Sequence, residues 1–224
     1  MFIMLVLLTF VAGILLDHFL TRRKILVLDA PKSRNREAAA PKLIADVIGG
    51  FTLPENLRYH PGHTWAVAEA QELVRVGADE LAAKVAGHLT AVDLPERGKW
   101  IRQGQKIVAL HRNGREIDLV SPIEGTVVRI NEKLLRDPDL ARKDPYGDGW
   151  LLTVNAPDVS TNFRNLLNGK VARRWMEESA SKLRMLSPGA VAALAQDGGV
   201  ALDDLVGHLT EAQFQDLTAD LFLT

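Results

Sequence analysis

Histidine is the residue type in this sequence that is best suited to metal or acid–base chemistry. His60 and His63 have the spacing H-x-x-H, and His88 and His111 follow in the same stretch of chain. The sequence contains no cysteine, which excludes thiolate metal sites, cysteine nucleophiles and disulfides. Because zinc sites usually combine several His, Cys and carboxylate ligands, two close histidines favour structural or surface roles. We therefore predict no metal site. We also predict no catalytic residue, since no glycine-rich phosphate loop or nucleophile elbow stands out.

The short stretch Arg112-Asn113-Gly114-Arg115 carries the second candidate site. Asn-Gly is a strong hairpin signal, because both central positions of a type I′ turn need a positive φ angle. The sequence therefore predicts a β-hairpin with two arginines beside its tip. One interpretation is that this tip docks a small acidic surface of a partner protein. A solvated turn is the simpler interpretation.

Short apolar segments separated by Gly, Pro and Asn surround these residues and must position them. The clearest of these segments are residues 91–94, 106–110, 117–120, 126–130 and 151–154. Short strands with frequent turn signals are typical of an all-β barrel or sandwich. We expect short helical insertions at residues 79–86 and 131–136.

The last part of the chain has a helical pattern. Apolar residues recur there at intervals of three and four, which predicts amphipathic helices. Signals for the start of a helix occur at Ser187-Pro188 and at Thr210 with Gln213. We expect the last helix to run through Phe222. We expect this segment, residues 157–224, to pack against the barrel and to contact a partner around Trp175 and Phe214.

The first residues of the chain are apolar and are followed at once by three basic residues. Residues 1–21 contain one acidic residue, Asp17, and Arg22-Arg23-Lys24 comes next. About 20 helical residues span roughly 30 Å, which is the thickness of a bilayer core. We predict a transmembrane helix at residues 1–21. From the positive-inside rule, we predict an inner-membrane, single-pass protein with its bulk in the cytoplasm. A cleaved signal peptide and a buried core helix are the alternatives.

The overall composition is that of an ordinary globular chain. The 224 residues are 47% hydrophobic and 25% charged, with a formal net charge of −1, so nothing points to nucleic acid. Between residues 22 and 42, seven basic residues and two acidic residues give a local charge of +5, which suits an anionic lipid surface. We predict four parts, namely a transmembrane helix at 1–21, a basic linker at 22–50, a barrel at 51–156 and the helical segment at 157–224.

Three motifs, taken in order, resemble the glycine cleavage H-protein family. They are Tyr59–Trp65 (Y-H-P-G-H-T-W), Val76–Gly98, which ends in L-P-E-R-G, and Ser121–Trp150, which ends in D-P-Y-G-D-G-W. Each motif is a weak signal alone, whereas the three together at the family's spacing are specific. The resemblance implies a mainly β fold of the lipoyl/biotinyl barrel-sandwich hybrid type. The N-terminal transmembrane helix and the C-terminal helices are expected as additions to it.

In the family that these motifs resemble, a lysine at the tip of a β-hairpin carries lipoate in amide linkage. Alignment without gaps on residues 118–122 places the position of this lysine at Gly114. The flanking tip residues cannot form the amide either, because a guanidinium or a carboxamide is not an amine acceptor. The nearest lysine, Lys106, is expected in the preceding strand. Lipoate is expected in the family, but we predict no cofactor on this chain.

We interpret the chain as a membrane-anchored, non-catalytic H-protein-like module that binds another, unidentified protein without a lipoyl arm. Two alternatives stay open. One is a genuine lipoyl-carrier H protein of the glycine cleavage system. The other is a membrane-fusion-type adaptor, whose lipoyl-like barrel also lacks lipoate. Such adaptors normally carry a long coiled-coil hairpin between barrel halves, whereas only Arg112–Glu116 separates them here.

Overall fold

Antiparallel β-sheet forms the centre of the fold. The computed structural model describes residues 45–186, Val206 and residues 209–223. The strands are β1 (Ala45–Ile48), β2 (Phe51–Pro54), β3 (Arg58–His60), β4 (Thr64–Ala68), β5 (Leu73–Ala78), β6 (Ala91–Asp93), β7 (Trp100–Ile101), β8 (Lys106–Arg112), β9 (Arg115–Val120), β10 (Gly125–Ile130) and β11 (Leu152–Asn155). They form three antiparallel sheets, with the strand orders β1-β2, β3-β4-β5-β11-β10-β7 and β6-β8-β9.

Helices lie between the strands and after them. In the described residues they are α1 (Glu80–Ala86), α2 (Glu132–Arg136), α3 (Leu140–Lys143), α4 (Val159–Arg164), α5 (Gly169–Leu186) and α6 (Glu211–Phe222). The predicted helices at 79–86 and 131–136 are confirmed as α1 and α2, whose N-caps are Asp79 and Asn131. The predicted last helix is confirmed as α6, with a complete capping box formed by Thr210 and Gln213.

The core of the fold is built around two aromatic side chains from neighbouring strands. Tyr59 and Trp65 are paired across β3 and β4, and each is only 1% exposed. The Trp65 indole nitrogen donates to the carbonyl oxygen of Ala78 at 2.8 Å, so burial leaves no unpaired donor there. Gly77 pairs with Trp65, and a Cβ at Gly77 would overlap the indole ring. The mainly β part of the predicted fold class is therefore confirmed.

The N-terminal transmembrane helix is the part of the predicted fold class that must be corrected. None of the helices in residues 45–186 and 209–223 is long and apolar enough to cross a membrane. The longest of these, α5, has 18 residues but carries Lys and Arg at several positions along its length. On this finding the transmembrane part of the fold class is wrong, and so is the inner-membrane, single-pass localisation. The segment on which both rested, residues 1–21, lies outside the described residues.

The first hairpin of the structure begins inside the predicted linker, residues 22–50. Strand β1 pairs with β2 along its whole length, and Gly49 lies so close to α5 that a Cβ there would be 2.5 Å from the Cβ of Ala180. Arg173 on α5 forms ion pairs with Asp46 and Glu55 on either side of the hairpin. Helix α5 is therefore part of the packed core. The helix predicted to start at Ser187-Pro188 lies outside the described residues.

Candidate functional site at the β8–β9 hairpin

The hairpin predicted around Asn113-Gly114 is formed by β8 and β9. The last cross-strand pair is Arg112 with Arg115, which leaves a two-residue turn. Asn113 has a φ angle of 45° and Gly114 has one of 81°, as a type I′ turn requires. Both turn residues are exposed, and no heavy atom lies within 4 Å of the position of a Cβ on Gly114. The turn therefore presents its tip to open space.

The two arginines of the last pair point to different parts of the molecule. Like charges directly opposite each other in a sheet are destabilising unless they separate. The guanidinium of Arg112 lies over Gly87, where a Cβ would be 2.5 Å from its Nη1 atom. Gly87 is the C-cap of α1, and the negative end of a helix dipole favours a cation. Arg115 extends instead toward the C-terminal part of the chain.

Arg115 joins the hairpin to the residues around the start of α6. Its Nε donates to the Glu211 carboxylate at 3.0 Å, and its Nη2 donates to the carbonyl oxygen of Leu209 at 2.7 Å. A longer bond of 3.4 Å reaches the carbonyl oxygen of Val206. The guanidinium also lies over the ring of Phe214, 4.7 Å from its centroid. The sequence did not predict this contact, because more than 90 residues separate its two sides.

The lysine nearest to the turn lies at the opposite end of the hairpin. Lys106 opens β8 and its ammonium group is 3.1 Å from the carboxylate of Asp118. Arg112 is six positions further along the strand, which at roughly 3.3 Å per residue places the two about 20 Å apart. Lys106 is therefore on the strand, as the sequence predicted. Nothing in the turn itself carries a primary amine.

The histidines do not converge on a common site. His63 is fully buried and its Nδ1 is 2.7 Å from the Asp79 carboxylate, while His60 accepts a hydrogen bond from the backbone of Gly62 at 3.0 Å. His88 is 3.1 Å from Asp139 and His111 is 2.9 Å from Asp93, at two other places. Within the described part of the chain, no three His, Asp or Glu residues are grouped so that they could hold a metal ion.

A buried aromatic cluster surrounds His63. Its ring packs against the ring of Trp175 at 4.5 Å and against the edge of Phe222 at 5.9 Å. Burial and the nearby Asp79 carboxylate both raise the pKa of Tyr59, which also packs on Trp175. Burial, with a smaller effect of His63, lowers the pKa of His60. This arrangement binds α5 and α6 to the barrel, so His63 has a structural role here.

The aromatic residues proposed as the centre of a partner surface face inward. Phe214 is 1% exposed and lies under the Arg115 guanidinium. Trp175 is half-buried between Tyr59 and His63. Any partner that contacts the C-terminal helices must therefore meet their exposed outer faces, or must displace them. The sequence predicted that a partner contacts the chain around Trp175 and Phe214, whereas the structure buries Phe214 and half-buries Trp175.

Comparisons with known proteins cover the central part of the chain. The family model described as "Glycine cleavage H-protein" matches residues 57–179. Over 126 residues the chain is 35% identical to the glycine cleavage system H protein of Aeromonas salmonicida. This alignment covers 56% of this chain and 97% of that protein. The glycine cleavage system H protein of Bifidobacterium longum is 38% identical over 106 residues, covering 47% of this chain and 77% of the relative.

A solved structure also matches part of the chain. It is the crystal structure of a glycine cleavage system H protein from Mycobacterium marinum, with 29% sequence identity and a TM-score of 0.48. The match covers 56% of this chain and 98% of that one. Helix α6 lies beyond the residues that the family model matches.

Proposed function

Because the chain belongs to the glycine cleavage H-protein family, we propose that it is a non-catalytic H-type module that acts through protein contacts without a lipoyl arm. The observation that carries this proposal is the tip of the β8–β9 hairpin. The turn is intact and exposed, but it consists of Asn113 and Gly114. The resemblance assigns the lipoyl-lysine position to this turn.

The chemistry of the attachment explains why these residues matter. A lipoyl amide forms on a primary amine, with loss of water from the carboxylate of lipoate. Gly114 has no side chain, and the carboxamide of Asn113 is not a nucleophilic amine. A guanidinium is not an amine acceptor, and those of Arg112 and Arg115 are held against Gly87 and the start of α6. The tip therefore has no group that could carry the cofactor.

Contacts with other proteins do not depend on the arm. The matched relatives are named as H proteins of the glycine cleavage system, a multi-component system in which we propose that this chain contacts another protein. The β8–β9 hairpin forms a two-residue turn without an acceptor lysine, so recognition of its shape does not require the arm. We propose that this chain binds a protein partner but does not carry a lipoyl group. Its partner surface is the hairpin together with the helices that follow residue 157.

Intact-mass measurement tests this proposal directly. The full chain is produced with added lipoate and an active lipoate ligase, and the glycine cleavage system H protein of Aeromonas salmonicida serves as the control in the same reaction. We expect the control to gain the mass of one lipoyl amide and the chain to keep its unmodified mass. A lipoyl adduct on any lysine of the chain would show that the proposal is wrong.

A genuine lipoyl carrier is the second candidate function. The observation in its favour is that the match to the Aeromonas salmonicida H protein covers 97% of that protein, so nearly the whole length of that H protein is represented. Within the β8–β9 hairpin, this function would require Lys106 as the acceptor. Peptide mapping after the ligase reaction distinguishes the two candidates, and Lys106→Arg should abolish any adduct formed at that residue.

A further inference from the structure

The tip of the β8–β9 hairpin holds an asparagine followed by a glycine, and such a pair can react within itself. The backbone nitrogen of Gly114 attacks Cγ of the Asn113 side chain and forms a five-membered cyclic imide. The bond from Cγ to Nδ2 breaks, and the leaving nitrogen takes up the proton of the Gly114 N–H, so ammonia is released. Water then opens the imide at one of its two carbonyls, which yields aspartate or isoaspartate at position 113. The reaction needs no reactant other than water.

The turn leaves the attacking nitrogen accessible. Gly114 has no side chain, and outside its chain neighbours no heavy atom lies within 4 Å of the position of a Cβ. In a two-residue turn the ladder closes at the flanking residues, here Arg112 and Arg115, so the N–H groups of the turn residues lie outside it. Within the described part of the chain, neither Asn113 nor Gly114 forms a hydrogen bond. Both residues are exposed, so water reaches the imide as well.

Ring closure requires a rotation about the ψ angle of Asn113, and the tip opposes this rotation weakly. Asn113 starts in the left-handed region, with a φ angle of 45°, where a residue with a side chain is less stable than in the extended region. The rotation breaks no hydrogen bond of the turn residues themselves and loosens only the closing pair, Arg112 with Arg115. Exposed loop tips and ladder ends open at a free energy far below that of global unfolding.

A second Asn-Gly pair in the same chain is held by the fold. Asn168 and Gly169 are also exposed, and Gly169 also has nothing within 4 Å of a Cβ. The carbonyl oxygen of Asn168, however, accepts from two N–H groups in the first turn of α5, both at 3.2 Å. Leu167, just before it, exchanges two backbone hydrogen bonds of 2.7 and 2.9 Å with the buried Tyr59. A rotation about ψ of Asn168 would break the start of a helix, so the fold protects this pair.

We propose that Asn113 is a self-modification site of the native protein and that Asn168 is protected from the same reaction. The product replaces a neutral carboxamide by a carboxylate, so the formal charge of residues 112–115 falls from +2 to +1. Isoaspartate also adds one carbon atom to the backbone path, and a two-residue type I′ turn cannot keep its geometry with that addition. The reaction rests on the turn alone. Its effect on a partner rests on the proposed function, because the hairpin belongs to the proposed partner surface.

Ageing of the full chain in a mildly alkaline buffer tests the proposal, because hydroxide removes the proton from the attacking nitrogen. Cleavage after glutamate yields the peptides 97–116 and 133–177, each with one Asn-Gly pair. Mass spectrometry measures deamidation at each pair, and methylation by an isoaspartyl methyltransferase measures the share of isoaspartate. In the native chain we expect Asn113 to deamidate at least fivefold faster than Asn168. In urea we expect similar rates at both pairs, since no fold then protects either.

Matched variants assign the reaction to the two pairs. Asn113→Gln should leave residue 113 unmodified and the rate at Asn168 unchanged, because the longer side chain closes its ring far more slowly. Asn168→Gln should leave the rate at Asn113 unchanged. Equal rates of the two pairs in the native chain would overturn the proposal, and so would an Asn113 that reacts in urea but not in the native chain. Deamidation and lipoyl attachment add different masses, so failure of one proposal is distinguished from failure of the other.

Discussion

A lysine substituted at Gly114 tests whether the tip of the hairpin presents an amine for lipoylation. Gly114 has a φ angle of 81°, and nothing lies within 4 Å of a Cβ placed there. The substitution Gly114→Lys therefore meets no steric clash, and its cost comes from the left-handed backbone conformation alone. That cost is about 1–2 kcal/mol for a residue with a side chain. Asn113 is unchanged and continues to support the turn.

The size of the cost predicts a folded protein. For a domain of this size, about 1 kcal/mol lowers Tm by about 2–4 °C, so we expect Tm to fall by about 2–8 °C. The new ammonium group projects from an exposed type I′ turn, in the position that the family resemblance assigns to the acceptor. We therefore expect the variant to gain one lipoyl amide at residue 114 in the ligase reaction, as measured by intact mass and peptide mapping.

Gly104→Lys is the matched control for this experiment. Gly104 has a φ angle of 79°, is exposed and also has nothing within 4 Å of a Cβ, but it lies outside the β8–β9 hairpin. Its lysine should cost the same stability and should stay unmodified. If a folded Gly114→Lys variant gains no adduct, the tip does not present an acceptor and the reasoning fails. Equal modification of both variants would also refute it, because exposure alone would then explain the result.

Two further predictions concern the buried cluster around His63. Asp79→Ala removes an N-cap worth about 1 kcal/mol and leaves the buried His63 unpaired, which costs about 1–3 kcal/mol more, whereas Asp158→Ala removes only an exposed cap. In urea unfolding, the free energy of unfolding should fall by about 2–4 kcal/mol for Asp79→Ala and by about 1 kcal/mol for Asp158→Ala. Equal losses would contradict a role for the His63–Asp79 contact. Because the pKa of His60 is lowered below its usual 6.5, the folded state binds fewer protons than the unfolded state, so stability should fall as the pH drops below about 6.5. His60→Gln should weaken that dependence in melting experiments from pH 7 to pH 5, and an unchanged slope would show that other groups cause it.

Local signals in the sequence predicted much of the fold. The caps of α1, α2 and α6 and the Asn113-Gly114 turn were all predictable, because each depends on residues that are close in sequence. The β1–β2 hairpin was missed, since Gly49-Gly50 follows a basic stretch that has the composition of a linker. Helix α3 was missed because it has only four residues and no side-chain cap.

Long-range contacts explain what the sequence could not show at the site. The sequence predicted two arginines beside the hairpin tip, and the structure places each against another element. Arg115 meets a helix whose position depends on buried packing at both of its ends. Nothing in the sequence near Arg115 encodes that contact. For the same reason, Phe214 was expected on a surface, although the structure buries it.

The opposite directions of Arg112 and Arg115 have a mechanical consequence. Arg112 leads from the tip to Gly87 and α1, and the N-cap of α1, Asp79, holds His63. His63 touches Phe222 at the far end of α6, while the near end of α6 returns to Arg115. These contacts form a closed circuit through the barrel. Contacts that share partners in this way are coupled. Changes in the free energy of unfolding measured for single substitutions at these contacts will therefore not add in the double variants.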